Sequence, residues 1–568
     1  AAGGGDGAPP PACADQEACL SIVDAYLERP GACPSGLLRT DGKALGGGPC
    51  GKFCDLPAAP GRCDTYDNAV AAIYLVKRGR TEAARKLVDA FVELLYPRKL
   101  AGVSPQALYE VPSGRKLALL ATAYSVGVPA RGGVYWGKAV FEGAVDTGNN
   151  AWAAMALAHF SAATGEACYA AAARDVMHAL QKHGACDDGL GGYMSRMPPD
   201  LHFYRSTEHN IDIVALARML GEERHRQSAE HFVQAMFSRN PSYAGTYSQG
   251  TAGDTRCDST QPPSSPVAAD GTYWNFLADA DAADPRGERM ASALRFALRA
   301  APADGPRKTE GLWETDEDLI WRGGAAGTFN GTRFTTWGHG VQWEVTAGAG
   351  MAMARFARRF GDRHGLGLDL RVKQVQDSLR RLLSMYGAVP ASILGGNMKA
   401  YAVMNDHSSP YPGGSDTGIN WSYLRYDHLA ATAWTGLFFL FHFEGGAVNE
   451  DANPFAPPAS PVPAAMDASC LPPPPAGQPA SAACCRVVPG VKPLSCCPDG
   501  CCPDDEGRSL GCCLSDEPLG AMPEPPSGAQ ATGAAVRGGD AQAQGTCCAP
   551  GAELGCCAAG GCCPTAEG

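Results

Sequence analysis

Apolar residues recur with the period of an α-helix along residues 15–443, in segments that come in pairs joined by short turns. The first pair covers residues 64–78 and 81–96. The layout recurs at residues 148–164 with 166–184, 206–221 with 222–238, 271–284 with 285–301, and 340–361 with 367–387. A helix expected at 426–443 has no partner after it, and one at 15–28 has no partner before it. Pairing these two would close the chain into a ring.

Six helical hairpins predict an all-α fold, an (α/α)6 barrel or toroid with inner helices around an axis and outer helices around them. The first helix of each pair is smaller and more apolar, as in AWAAMALAHF, and its Ala and Gly residues allow tight packing. The second helices carry a charged face, as in RHRQSAEHFVQAMF, which suits the outside. An open α-solenoid is the alternative, but the chain keeps no strict repeat length.

Composition divides the chain into a globular body and a tail. All nine Trp lie between Trp136 and Trp434, whereas Phe455 is the only aromatic residue after Gly446. A segment so poor in large apolar groups cannot bury an ordinary core. We expect a Cys-rich N-terminal segment with the first helix, the barrel, a Pro-rich linker, a Cys-doublet module, a flexible spacer and a second Cys-doublet module, at residues 1–63, 64–450, 451–482, 483–514, 515–546 and 547–568.

Cysteine usage indicates an oxidising compartment. Nine of the 24 Cys precede residue 260 and 15 follow from Cys470 on, without interleaved His, so disulfides are favoured over zinc. Cys168 and Cys186 flank one predicted helix, which would hold them too far apart to bond each other. Sequons at Asn330 and Asn420 fit a secreted glycoprotein. The chain begins with Ala, and we expect a mature or truncated product.

Charge and hydropathy exclude two classes of partner. From residue 448 onward the chain holds four Lys or Arg and 13 Asp or Glu, so the acidity is concentrated in the tail. The body has no basic stripe, which excludes nucleic-acid binding. No apolar run reaches 18 residues, so we expect no membrane span. The acidic run 313–318 could hold a cation but is typical of a solvated loop, and we predict no metal site and no cofactor.

Carboxylates recur where the first helix of a hairpin begins, and in a toroid these starts surround one mouth. Four are candidate catalytic residues: Asp67, Asp146, Glu208 and Glu344. Cleavage of a glycosidic bond needs one protonated carboxyl as acid and one carboxylate as base or nucleophile. Helix capping is the competing interpretation for Asp146 and for Asp64, and Asp67 could share the cap of Asp64. Glu208 follows Ser206 and Thr207, which already offer capping groups.

Aromatic, amide and imidazole groups accompany these carboxylates, and such groups stack on sugar rings or bond their hydroxyls. Trp152 and Trp434 lie within predicted helices and are interpreted as core. Asp212, one turn after Glu208, is interpreted as a supporting residue. The candidate substrate-binding residues are Tyr66, Asn68, Trp136, Asn149, Asn150, His209, Trp274, Trp337, His339, Trp343 and Trp421.

The runs YDNAVAAI, DTGNNAWAAMAL, STEHNID and HLAATAW…NPF resemble those of bacterial and algal proteins of the six-hairpin glycosidase superfamily, over residues ~15–455. The resemblance implies an (α/α)6 barrel that acts on oligo- or polysaccharide with acids at one mouth, and it places Asp67, Asp146, Glu208 and Glu344 at motif positions. The superfamily also contains lyases and epimerases. Glu344-Val-Thr departs from the expected Glu-Gly-Thr, which puts Glu344 in doubt.

The tail contains two clusters of Cys doublets that resemble granulin modules, although their His and full spacing are missing; thiolate binding of soft metals is the alternative. We expect a tail that contacts a cell wall or matrix.

The leading hypothesis is a secreted glycoside hydrolase with Glu208 as general acid. A non-catalytic carbohydrate-binding or structural matrix component is the alternative. A polysaccharide lyase or sugar epimerase is a third, which His209, His339, Tyr66 and Tyr204 would serve.

Overall fold

The computed structural model describes residues 12–45 (without 32, 34 and 35), 61–96, 108–125 (without 113), 144–197, 204–299, 311–317, 327–394, 414–464 (without 420), 471, 554–556 and 562–564. The chain separates into two units. The first comprises residues 1–111 and 116–472, and the second comprises residues 112–115 and 473–568. Trp136, Asn420, the first Cys-doublet module and the spacer lie outside the described residues.

In the part of the first unit that the structure describes, six α-helices form a closed inner ring: α2 (Thr65–Lys77), α4 (Thr147–Thr164), α6 (Thr207–Leu220), α8 (Ala269–Leu277), α10 (Trp343–Phe360) and α12 (Leu429–Phe441). Each contacts the next, and α12 contacts α2. Six outer helices cover them: α1 (Gln16–Leu27) on α12, then α3 (Thr81–Leu95), α5 (Ala167–Gly184), α7 (Glu223–Ala235), α9 (Glu288–Ala297) and α11 (Leu368–Tyr386), each on the inner helix before it. This confirms the (α/α)6 toroid and excludes the open solenoid.

Residue size and polarity decide which helix lies inside. Nearly every residue of α4 and α12 is buried, and both are rich in Ala. By contrast α7 buries only one face, which includes Phe232 and Val233, and exposes Glu223 and Arg224. At Gly348 of α10 an added Cβ would lie 2.8 Å from Trp274 Nε1, so this glycine lets α10 approach the axis.

The fourth inner helix is shorter than the predicted 271–284. It ends at Leu277 because side chains take over the last carbonyls: Arg355 bonds Phe276 O and Leu277 O, and Arg218 bonds Ala278 O at 2.7 Å. Asp279 then adopts a positive φ of 47°. The chain restarts at α9, where Asp284 accepts hydrogen bonds from the backbone of the first turn.

Among the described residues of the first unit, ten short strands pair antiparallel in the segments between helices: β1 (Asp41–Ala44) with β10 (Tyr426–His428), β2 (Arg62–Asp64) with β5 (Ala123–Ser125), β3 (Leu108–Glu110) with β4 (Lys116–Ala118), β6 (Trp313–Glu317) with β7 (Thr328–Thr332), and β8 (Ser415–Asp416) with β9 (Ser422–Tyr423). β2 and β10 run directly into α2 and α12, so these two pairs tie together the segments that enter the ring.

Disulfides join Cys13 to Cys19, Cys33 to Cys63, and Cys186 to Cys257. Cys168 is also disulfide-bonded, and Cys186 does not pair with it, in agreement with the sequence-based expectation. None of the helices described is both long and apolar enough to cross a bilayer. In the second unit a hairpin pairs β11 (Leu554–Cys556) with β12 (Cys562–Pro564).

Candidate active site at the mouth of the ring

One hydrogen-bonding device repeats at the start of every inner helix. Four residues after each N-cap stands an Asn or a Thr with a hydrogen-bonded side chain. Five of them donate to the carbonyl of their own N-cap residue: Asn68, Asn150, Asn210, Thr272 and Thr346. The sixth, Thr432, accepts from Val389 N. Asn150 accepts from Leu120 N and donates to Leu120 O, and Asn68 makes the same pair of bonds with Leu38. The side-chain amides of Asn68 and Asn150 are buried and hydrogen-bonded to the backbone. These two residues therefore stabilise the mouth and are not available for the predicted substrate contacts.

The second residue of each inner helix is where chemistry gathers. In chain order these residues are Tyr66, Gly148, Glu208, Asp270, Glu344 and Ala430. Three are carboxylates, and they influence each other electrostatically: Asp270 and Glu344 both raise the pKa of Glu208. The structure thus places Glu208, Asp270 and Glu344 close enough to act on one another electrostatically.

Glu208 and Asp270 line one cavity of about 400 Å³. Ser206, His209, Gln249 and Thr251 supply polar groups to its wall, and Trp421 and Tyr204 supply aromatic faces. None of the described residues that line this cavity is Lys or Arg. The arrangement is that of a ligand pocket, with a few polar groups that can form hydrogen bonds and aromatic faces that can stack.

Burial sets the protonation of the acids on α6 and α8. The pKa of Glu208 is raised well above its ordinary value, by burial first and then by Asp270 and Asp212. Burial raises the pKa of Asp270 only to about 6, because the backbone N–H of Gly271 bonds its carboxylate. Asp212, one turn below Glu208, is fully buried with a raised pKa. Burial therefore favours the protonated form of Glu208, whereas the hydrogen bond from Gly271 favours the ionised form of Asp270.

A second group of acids lies across the mouth. Burial raises the pKa of Glu344 to about 7, against hydrogen bonds from Tyr66 and Gln342. The pKa of Asp67 is raised well above normal by burial, Asp64 and Glu344. His428 Nε2 lies 3.7 Å from Asp67 Oδ2, but burial lowers the pKa of His428 to about 4, so this imidazole brings no charge.

Aromatic rings close the axis beneath the acids. Trp274 stacks on Trp434 with centroids 5.4 Å apart, and Trp152 meets both edge-on. The indole of Trp434 donates to Tyr66 Oη at 2.7 Å. Phe455, from the segment after α12, lies 5.0 Å from Trp152 and is fully buried. Trp274, predicted to stack on substrate, thus shares one floor with Trp152 and Trp434, and packing continues past the predicted domain limit at residue 450.

Asp146 differs from the other candidate acids. Arg196 Nε donates to Asp146 Oδ1 at 2.9 Å, and Thr122 and Asn149 also donate to this carboxylate. Its side chain makes no capping bond to the helix, and neither does that of Asp64, which pairs with Arg62 and Thr40. Both the capping and the catalytic interpretation of Asp146 give way to an ion pair that joins two hairpins, and Asn149 supports it.

The remaining predicted contacts divide into two groups. His209 and Trp421 line the cavity; His209 Nδ1 lies 3.1 Å from Ser195 O. Trp343 is fully buried against Phe329, which leaves no face for a sugar.

His339 Nδ1 lies 2.6 Å from Glu314 Oε1, and Trp337 is half-buried in the same turn. Glu314 and Asp316 accept from the backbone of Gly340 and Val341, so this acidic run holds the turn before α10. His339 therefore belongs to that turn. Among the described residues no group of carboxyl, imidazole and thiol side chains could hold a metal ion.

Sequence reasoning missed Asp270 and Tyr423. Asp270 was overlooked because its helix was expected to begin at residue 271; aligning it with Glu208 and Glu344 as second residues of their helices would have found it. Tyr423 lies on β9 between helices, and Glu344, Asp67, Asp270 and Glu208 all help raise its pKa after burial. Nothing in its local sequence marks it.

No protein-family model and no curated protein matches the chain. Similar solved structures include a family 76 glycoside hydrolase from a bovine Bacteroides thetaiotaomicron strain (TM-score 0.45, 11% identity, 75% of this chain and 77% of that one). A D-mannose isomerase (0.43, 9%, 75% and 95%) and the cellobiose 2-epimerase of Spirochaeta thermophila (0.40, 12%, 74% and 93%) are others. Scores and identities this low carry no argument, and the fold rests on the helix contacts above.

Proposed function

We propose that this chain is a carbohydrate-active enzyme, a secreted glycoside hydrolase in which Glu208 is the general acid and Asp270 its carboxylate counterpart. One observation carries the proposal: two acids of different pKa line the same cavity, beside aromatic and hydroxyl groups. Asp270 takes the place of Asp146, because Arg196 already holds that carboxylate. Glu344 and Asp67 are not among the residues that line this cavity, and Glu344 raises the pKa of Glu208.

The residues divide the reaction between them. Glu208 gives its proton to the glycosidic oxygen, so the leaving sugar departs as a neutral alcohol. The Asp270 carboxylate stabilises the positive charge that develops at the anomeric carbon and either activates water or attacks there. Because Asp270 must be ionised, the acidic limb of the activity profile falls near pH 6, and activity declines again where Glu208 loses its proton.

The test is reducing-sugar release from glucans, mannans and uronates by the wild type, Glu208→Gln, Asp270→Asn and Glu93→Gln. Glu93 is exposed on α3 and serves as the matched control. Release by the wild type and the control, with loss in the other two, supports the hydrolase. Release by all four would refute these roles, and tight retention of a glycan without release would support the matrix-binding alternative.

A lyase or epimerase is the second candidate, on account of His209. Its Nδ1 is occupied by Ser195 O, so its Nε2 keeps a lone pair, and burial lowers its pKa. A neutral imidazole in the cavity could remove a proton from a sugar carbon. Product analysis separates the reactions: an unsaturated or epimerised sugar that disappears in His209→Gln would favour this candidate over hydrolysis.

A further inference from the structure

We propose that Gln249 selects the sugar that binds beside Glu208, and that its carboxamide binds two neighbouring free hydroxyls of a neutral sugar ring. This role deepens the proposed function and rests on it. It stands on the backbone contacts that place Gln249 in the wall of the cavity, and on a side-chain amide that has no partner among the described residues.

Backbone hydrogen bonds hold Gln249 against the start of α6. Thr207 N donates to Gln249 O at 2.9 Å, and the Thr207 hydroxyl donates to Ser248 O at 2.5 Å. Thr207 immediately precedes Glu208 in the chain. These two bonds therefore fix the backbone of Gln249 beside the residue that the proposed function makes the general acid.

Gly250 makes this close approach possible. It forms an antiparallel bridge with Ser206, the N-cap residue of α6. Its φ is 157°, and a Cβ at this position would lie 2.0 Å from Arg205 O, so any other residue would push the segment away from the helix. Beyond the bridge, Thr251 N donates to Arg205 O at 3.0 Å. The segment that carries Gln249 is thus anchored on both sides of Gly250.

The carboxamide of Gln249 is available to a ligand. The residue is partly exposed and lines the same cavity as Glu208. Neither its amide nitrogen nor its amide oxygen forms a hydrogen bond with another described residue. By contrast the wall hydroxyls of Thr207 and Thr251 already donate to backbone carbonyls. Gln249 therefore keeps both donors and its acceptor for a molecule that enters the cavity.

The free groups of the wall fit hydroxyls better than charged groups. A carboxamide donates from nitrogen and accepts at oxygen, and two neighbouring hydroxyls of a sugar ring can accept the one bond and donate the other. Among the described residues that line the cavity there is no Lys or Arg to hold the carboxylate of a uronate. A sugar that lacks either hydroxyl would leave one end of the amide without a partner, and a site built for hydrogen bonds rejects such an analogue.

The experiment is a ligand-observed NMR titration at pH 7 with the full chain carrying Glu208→Gln, which the proposed function makes inactive. The probes are methyl glucosides and methyl mannosides, their analogues in which each hydroxyl in turn is replaced by hydrogen, and the matching methyl uronides. We expect removal of either of two neighbouring hydroxyls to weaken binding about 5–10-fold, because the amide then loses one hydrogen bond. The uronides should bind more weakly than the neutral glycosides.

Adding Gln249→Ala to this chain should weaken binding of the unmodified glycoside by about tenfold and abolish the discrimination against those two deoxy analogues. Gln249→Met keeps the length of the side chain without its polar groups and should have the same effect. Gln227→Ala, in an exposed residue of α7, is the matched control and should change neither affinity. Melting temperatures check that each variant is folded.

Discrimination that persists in Gln249→Ala, equal binding of all the deoxy analogues, or uronides that bind as tightly as the neutral glycosides would overturn the proposed role of Gln249. Reducing-sugar release by the wild type alongside any of these results would leave the hydrolase standing. Binding that depends on Gln249, with no hydrolysis of any glycan, would support the contact and refute the hydrolase. No binding and no hydrolysis would overturn both.

Discussion

The acids of this mouth fall into two sets that differ by two positions along a helix. Asp64 and Asp146 are N-cap residues of α2 and α4, and each is paired with an Arg. Glu208, Asp270 and Glu344 are second residues of α6, α8 and α10, and each is buried with a raised pKa. At the N-cap the side chain lies among the loops that join hairpins, where arginines can reach it. Two residues later it faces the axis, where they cannot.

The largest difference in kcat/KM is expected between variants of Asp270 and Asp146, one acid from each set. Asp270→Asn should lower kcat/KM by about 10²–10⁴, because the site loses the carboxylate that acts at the anomeric carbon. Asp146→Asn should leave kcat/KM within about threefold, since that side chain bonds Arg196 and not the substrate. Initial rates on the glycan identified in the reducing-sugar assay measure kcat/KM for both variants. Equal losses in the two variants would contradict the distinction between the two sets of acids.

The two sets of acids should also differ in how substitutions around them change the free energy of unfolding. Arg196→Met leaves Asp146 buried without its cation and should lower the free energy of unfolding by about 3 kcal/mol. Glu208→Gln should leave the free energy of unfolding unchanged or raise it near pH 8, because the substitution removes a buried acid that has no cation beside it. Denaturant unfolding measures both variants. The double variant Arg196→Met/Asp146→Leu is the control, and it should recover part of the loss.

The pH dependence of stability sharpens the comparison further. The pKa of Glu344 is about 7 in the folded chain against 4.5 ordinarily, so the folded state holds its proton more tightly. Its stabilising contribution is present below pH 4.5 and is lost as pH rises to 7, by about 3 kcal/mol. Glu344→Gln should flatten the unfolding free energy over this range, and an unchanged slope would assign the loss to other groups.

The smallest effect is expected at the cavity wall. Trp421 is half-buried, lines the cavity and packs on Tyr423 and Phe334. Trp421→Ala should raise KM by about 2–10-fold with little change in kcat, as the loss of one stacking face would. Trp343→Phe, buried away from the cavity, is the control and should leave KM unchanged.

The sequence predicted the toroid because a helical period survives in every hairpin, and helix ends came within a few residues except in α8. That helix ends early because Arg355 and Arg218 reach its carbonyls from other hairpins, and no local signal shows such contacts. The candidate site was only partly predictable, because contacts between distant segments leave no local signal there either. Glu208 and Glu344 stand beside recognisable helix starts, whereas the pairing of Asp146 with Arg196 spans 50 residues. Only the fold reveals which acids lack a cation.

Phe455 helps to close the inner ring of helices on the side below the acids. Since this residue and the three tryptophans pack against one another below the acids, the proposed glycan substrate would have no path along the axis and would enter and leave at the mouth. A blind site of this kind favours binding a chain by its end over sliding along it. Each cleavage would then be followed by release and rebinding. The distance from the acids to the aromatic floor would set the length of the products.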